Sequence, residues 1–243
     1  KDNFSEELLS KSTRQAIRTA RNKGIQVQFG GKELLDDFSA LMKKTENRKS
    51  IHLRGQDYYQ KLLDTYPEHS YITLASIDLN ERLESLQAQK VKAEKEASKF
   101  TEKTKPGKIE NNKQEQKRLQ EEMDFLVEKM TQGAMTVPLS GTLVLEYGAT
   151  SENIYAGMDE EYRRYQPALL TWYETAKHAF ERGADWQNMG GVENDLDGGL
   201  YHFKSKFNPT IEEFVGEFNL PTNPLYHLSN LAYTLRKKFR SKH

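Results

Sequence analysis

The chain has 243 residues, 36 basic and 36 acidic, and no cysteine. That length suits one large domain with a core of its own. The missing cysteines exclude a disulfide framework, thiol catalysis and zinc sites built on Cys. No apolar run nears the roughly 18 residues of a membrane span, and no stretch reads as a signal peptide. Zero net charge, taken alone, argues against a nucleic-acid partner.

In chain order, Ser12 reads as an N-cap and Gly24 as the residue closing a helix over 13–23, with Ile17 and Ala20 inward. Residues 25–29 alternate as a short strand. Leu34, Leu35, Phe38, Leu41 and Met42 fall at helical spacing over 32–45, and a further helix runs over 56–65 before Pro67. Residues 70–79 and 137–147 read as core strands, 167–182 as a helix closed by Gly183, and 185–189 as a short strand. Gly190-Gly191 opens a loop, 214–218 is an expected edge strand, and a basic helix follows over 225–241. Helices alternating with strands predict an α+β or α/β fold.

Between the two core strands lies different material. Positions 79, 83, 86, 90, 93, 97 and 100, and again 112, 116, 119, 123, 126 and 130, step by four and three and are mostly apolar. This is a heptad seam interrupted at Pro106-Gly107. Folding about that dipeptide predicts an antiparallel two-helix arm, with Lys90 facing Met123 and Phe100 near Asn112. A mean hydropathy of −0.85 fits such an arm.

The neutral total conceals segments of opposite sign. Residues 133–224 carry a net −8, and 225–243 a net +5. Lys11, Arg14, Arg18, Arg21 and Lys23 occur in a stretch without any acid, from Leu8 to Lys32. The arm's 99–118 region has a net +4 and includes Lys103, Lys105, Lys108, Lys113 and Lys117. These patches suffice for phosphate contact, although a solvated Lys/Glu-rich helix has the same composition.

Familiar catalytic patterns are absent. The six histidines show no metal-ligand spacing, and there is no nucleophile elbow or Walker loop. Gln187-Asn188-Met189-Gly190-Gly191-Val192 approaches the pyrophosphate loop of coenzyme A acetyltransferases but fails at its last position.

Several stretches together resemble the FemABX family of peptidoglycan aminoacyltransferases. They are Lys11-Ser12-Thr13-Arg14-Gln15-Ala16-Ile17-Arg18 with Gly24, Thr45-Glu46-Asn47-Arg48, and Tyr71-Ile72-Thr73-Leu74-Ala75. Beyond the arm come Asn153-Ile154-Tyr155-Ala156-Gly157-Met158, Leu170-Thr171-Trp172-Tyr173-Glu174, and Trp186 to Val192. The most specific is Gly199-Leu200-Tyr201-His202-Phe203-Lys204 with Phe207. Within the family the chain looks most like the streptococcal member that starts the branched cross-bridge.

The resemblance implies a GNAT-like acyltransferase domain from 1–78 and 133–224, an inserted coiled-coil arm at 79–132, and a helix at 225–243. That last helix would pack on a first GNAT-like domain missing from this chain, which begins at Lys1 rather than Met. It implies transfer of an alanyl or seryl group from aminoacyl-tRNA to the stem-peptide lysine of lipid II, at the cytoplasmic face of the membrane. Such a reaction would need no cofactor or metal. By the same resemblance Lys204, preceded by Phe203, stabilises the oxyanion. Arg48, then Arg54, with Tyr155 and Tyr147, hold the acceptor's phosphate, and the arm lysines contact tRNA. Two alternatives stay open: an inactive tRNA- or partner-binding module, and a coenzyme A-dependent acetyltransferase.

Overall fold

Ser10, not Ser12, caps the first helix: in a computed structural model that describes residues 4–216, 218, 220–223 and 225–240, its Oγ accepts the Thr13 amide at 3.2 Å. Both serines suit a cap, and burial of Thr13 decides between them, because it draws the residues before it into the first turn. Helix α1 (Lys11–Asn22) buries Ile17 and Ala20 and ends at Gly24, whose φ of +84° a side chain would strain.

The sheet runs β1 (Gln26–Gly30), β2 (Ser70–Asp78), β3 (Thr136–Tyr147), β4 (Thr150–Met158) and β5 (Trp186–Asn188), in that spatial order. The first four strands are antiparallel and β5 lies parallel to β4. Helices α2 (Leu35–Lys49) and α3 (Gln56–Thr65) cover one face, where Phe38, Leu41 and Tyr59 meet Ile72, Leu74 and Leu143. Helices α1 and α6 (Pro167–Glu181) cover the other, where Ile17, Leu170 and Tyr173 meet Ala75, Ile77 and Leu139. Each fully buried large apolar side chain contributes roughly 1.5–3 kcal/mol. The molecule is thus the mixed α+β protein that the alternation of elements predicts.

Two bulges decide which side chains face which layer. Opposite Ala75 and Ser76, Leu139 is an extra residue, so Val137 and Leu139 face α1 while Leu143 faces α2. In β4 the extra residue is Ile154, between Asn153 and Tyr155, and both Ile154 and Tyr155 then lean onto the α2 side. At Gly157 the α2 backbone comes so close that a Cβ would lie 3.0 Å from the Leu41 carbonyl carbon. Thr45 Oγ1 accepts the Met158 amide at 3.2 Å across the same contact.

Helices α4 (Leu79–Ala97) and α5 (Pro106–Thr131) form the helical hairpin. Leu79, Leu86 and Ala93 are buried, as are Asn112, Leu119 and Leu126, each set at a seven-residue step. The register differs from expectation. Asn112 Nδ2 donates to the Ala93 carbonyl at 3.0 Å, and Lys90 reaches Gln120 rather than Met123. Pro106 starts α5 instead of sitting in the turn, since a proline at the first helical position loses no hydrogen bond. The connection therefore occupies 98–105, and the helices slide toward the hairpin's base.

At that base Glu122 is buried with Arg82, whose Nε and a terminal nitrogen both reach Oε1 at 2.9 and 2.7 Å. Lys23, the residue after α1, adds bonds at 2.9 and 3.0 Å, so one carboxylate ties the hairpin to the body.

The chain divides into units Lys1–Pro209 and Thr210–His243. In the second, α8 (Leu225–Arg240) begins where Asn223 Oδ1 accepts the Leu225 amide at 2.9 Å. Of the expected strand at 214–218, Glu217 lies outside the described residues, and residues 214–216 and 218 belong to no strand. The apolar side chains Phe214, Val215 and Phe218 are exposed, and alternation alone supplies no edge to pair with.

Candidate active site

Strand β5 pairs with only Thr150, Ser151 and Glu152 of β4, after which the two parallel strands part. The chain leaves the C-terminal end of β5 through Gly190-Gly191, Gly190 at φ +73°, and returns as α7 (Gly199–Lys204). Crevices outside the carboxyl ends of parallel strands are recurrent ligand sites.

Lys204 ends α7 and is only 8% exposed. Its Nζ donates to the Gly191 carbonyl at 2.7 Å and stands 5.8 Å from the Trp172 ring centroid. Burial pushes the Lys204 pKa below that of an ordinary lysine; Glu193 opposes this, and the charge of Lys49, at the end of α2, adds to it. A fully solvated surface lysine would show neither the burial nor the shift. Phe203 anchors the helix, its ring packed edge-on to Trp172 at 5.3 Å and to Phe207 at 5.8 Å.

A second cluster lies where α3 begins. The Arg54 guanidinium stands 5.1 Å from the Tyr58 ring, and Tyr58 meets Tyr155 edge-on at 6.3 Å. These three, with His52, Leu53, Gly55 and Asp57, line an open cavity of about 590 Å³. The β4 bulge aims Tyr155 here. Burial raises the pKa of its hydroxyl, neighbouring Tyr58 raises it further, and Arg54 opposes both. Its phenol therefore stays protonated at neutral pH, leaving a guanidinium and a phenol O–H as donors beside one cavity, a combination suited to phosphate or another oxyanion.

The expected residues are not all brought together. Arg48 lies at the end of α2, with Nε 3.8 Å from Glu160, and does not line this cavity. Tyr147 is 91% exposed at the β3–β4 turn. It is four residues, about 13 Å, along β3 from Leu143, the partner of Tyr155. Tyr58 went unread in the sequence; its place four residues after Arg54 was the available signal.

On the hairpin, Lys103 and Lys105 lie in the 98–105 connection and Lys113 on α5, none with an ion-pair partner among the described residues. Lys108 pairs with Glu96 at 3.0 Å, and Lys117 lies 3.8 Å from Glu121. Along α1, Arg21 and Lys23 are tied to acids, while Lys11, Arg14 and Arg18 have no such partner among the described residues. Among the described residues, no group of three or more His, Asp or Glu is placed to hold a metal, and no helix is long and apolar enough to cross a membrane.

Comparison with known proteins yields one family. The FemAB family model matches residues 1–234. A lipid II:glycine glycyltransferase of Staphylococcus epidermidis is 30% identical over 227 residues, covering 88% of this chain and 55% of the relative. One from Staphylococcus aureus is 26% identical over 250 residues, covering 93% and 59%. The chain thus spans little more than half the length of these curated relatives. A crystal structure of FemX, 24% identical, superposes with a TM-score of 0.66 over 93% of this chain and 60% of its own, which establishes a shared fold.

Proposed function

This chain belongs to the FemAB family, and from that premise we propose that it is the acceptor-binding and oxyanion-stabilising part of a tRNA-dependent aminoacyltransferase of cell-wall synthesis. Its sheet is the GNAT-like acyltransferase domain and its hairpin the tRNA-contacting arm. The acceptor is the lysine side-chain amine of the lipid II stem peptide, reached at the cytoplasmic membrane face. The donor is a small aminoacyl ester of tRNA. Its acyl group is alanyl or seryl in our sequence reading, while the names of the staphylococcal relatives speak for glycyl.

The observation that carries the proposal is the buried Lys204 ammonium, which among the described residues makes a single hydrogen bond, to Gly191. When the neutral acceptor amine attacks the aminoacyl ester, the carbonyl oxygen becomes an oxyanion. Lys204 then offers it the two N–H groups that Gly191 leaves unused. Because Gly191 and Trp172 fix the ammonium beforehand, little reorganisation accompanies the reaction. The amine–carbon bond forms, the ester oxygen of the tRNA ribose leaves, and the amine's proton passes to solvent or to that oxygen. The two amines must hold opposite states: the acceptor neutral, Lys204 protonated. Arg54, Tyr58 and Tyr155 grip the acceptor's phosphate and so place the amine. The exposed apolar row Leu228, Leu231 and Leu235 of α8 is the surface for the family's other GNAT-like domain.

The test is transfer of a labelled aminoacyl group from tRNA to lipid II by the full-length protein. Transfer is expected from aminoacyl-tRNA and none from acetyl-coenzyme A; the reverse outcome contradicts the proposal. Reversing the charge of Lys103, Lys105 and Lys113 is expected to raise KM for tRNA severalfold, more at low salt, with KM for lipid II unchanged. An unaltered KM for tRNA removes the arm from the account.

A further inference from the structure

We propose that Glu193 is the positioning residue for the Lys204 ammonium, the carboxylate on which α7 is built. The inference rests on the reading of Lys204 as the oxyanion donor and goes beyond it. Glu193 lies in the loop between β5 and α7. Its Oε1 accepts the Leu200 amide at 3.1 Å and its Oε2 accepts the Tyr201 amide at 3.0 Å. Helix α7 has only six residues, too few to persist alone, and its N-cap residue Gly198 has no side chain to bond the first turn. The carboxylate takes that place. Tyr201 lies one turn before Lys204, so what orders the first amides also sets where Nζ points.

Gly198 is part of the same device. A Cβ at 198 would lie 2.1 Å from the Glu193 carboxyl carbon and 2.5 Å from its Cγ. Only glycine leaves room for the carboxylate against the helix start. The negative charge acts on Lys204 as well. Two charged side chains bear on the ammonium, Glu193 from the loop and Lys49 from α2. Burial and Lys49 both favour loss of the Lys204 proton, and of these two charges Glu193 is the one that resists it. Removing its charge therefore makes Lys204 easier to deprotonate.

The experiment compares wild type with Glu193→Gln, Gly198→Ala and Lys204→Ala. In the full-length protein, transfer is followed across pH with both substrates varied. In parallel, acetic anhydride labels the amines, and the rate at Lys204 is read by peptide mass spectrometry. Glu193→Gln is expected to lower kcat about tenfold, since small misplacements of a reacting group carry such losses, with KM values within threefold. The alkaline limb of the rate moves to lower pH, and Lys204 is labelled severalfold faster at a given pH. Gly198→Ala keeps the carboxylate but displaces it, and is expected to give the same signature. Wild-type kcat, alkaline limb and labelling in both variants, while Lys204→Ala loses transfer, overturn the proposal for Glu193. Undiminished transfer by Lys204→Ala contradicts the oxyanion reading instead, and the labelling rates still decide whether Glu193 governs the ammonium.

Discussion

In the proposed mechanism Lys204 and Arg54 divide the chemistry between a buried cation and an exposed one, and their substitutions should fail differently. A guanidinium proposed to grip the acceptor's phosphate holds it before and during reaction alike, so loss of Arg54 is expected to be one of uniform binding. Arg54→Ala is expected to raise KM for the lipid-linked acceptor about ten- to a hundredfold, the worth of one or two hydrogen bonds to a charged group, with kcat nearly unchanged. Steady-state kinetics with lipid II varied checks this; a fall in kcat at constant KM contradicts it. Residue identity was legible unevenly. Phe203 and Lys204 stood out through a family motif, but nothing in the residue string told that Lys204 is buried, because burial depends on Trp172 and on the loop that folds over it. Tyr58 was legible by spacing and still unread, since an i+4 aromatic at a helix start is ordinarily packing.

Elements with strong periodicity matched expectation closely, whereas their registers did not. Helix α3 occupies the residues read for it, and β2 ends within one residue of the expected boundary. The bulges at Leu139 and Ile154 carry no mark in the sequence, because a bulge answers to the strand opposite rather than to its own residues. The hairpin's register was legible only as far as its turn, and Pro106 was read as interrupting a helix when it starts one. The Glu122 cluster was not legible at all: Lys23, Arg82 and Glu122 are far apart in sequence, and nothing in the residue string pairs them.

That cluster makes a stability prediction. Burial alone would raise the Glu122 pKa, but Lys23 and Arg82 outweigh it and hold the group at about 2. A carboxylate depressed from 4.5 stabilises the fold fully above about pH 4.5, and loses that contribution as pH falls toward 2. The difference corresponds to about 3 kcal/mol. Glu122→Gln leaves buried Arg82 and part-buried Lys23 without that counter-charge and is expected to destabilise by about 3 kcal/mol at neutral pH. Urea unfolding across pH checks both: wild type weakens below pH 4.5, and the gap between wild type and Glu122→Gln narrows there. A gap independent of pH contradicts the assignment.

On the scale of the whole molecule, the zero net charge proves to be a cancellation with a spatial meaning. Among the described residues Lys11, Arg14 and Arg18 of α1 and Lys103, Lys105 and Lys113 of the hairpin have no ion-pair partner, while the acidic surplus belongs to 133–224. The first inference from neutrality, against a nucleic-acid partner, therefore has no force. The chain spans 55–60% of the relatives it matches. The proposed reaction is accordingly assigned to the full-length protein, with Lys204 and the Arg54 cavity as this chain's proposed share.

The proposed role of Lys204 is to stabilise the transition state of aminoacyl transfer. It is tested most directly by single-turnover transfer from aminoacyl-tRNA to lipid II, both saturating, with full-length wild type and Lys204→Ala. The variant is expected to bind both substrates normally and to transfer about 10²–10³-fold more slowly, the usual loss for one oxyanion donor. A rate within a few fold of wild type would contradict it.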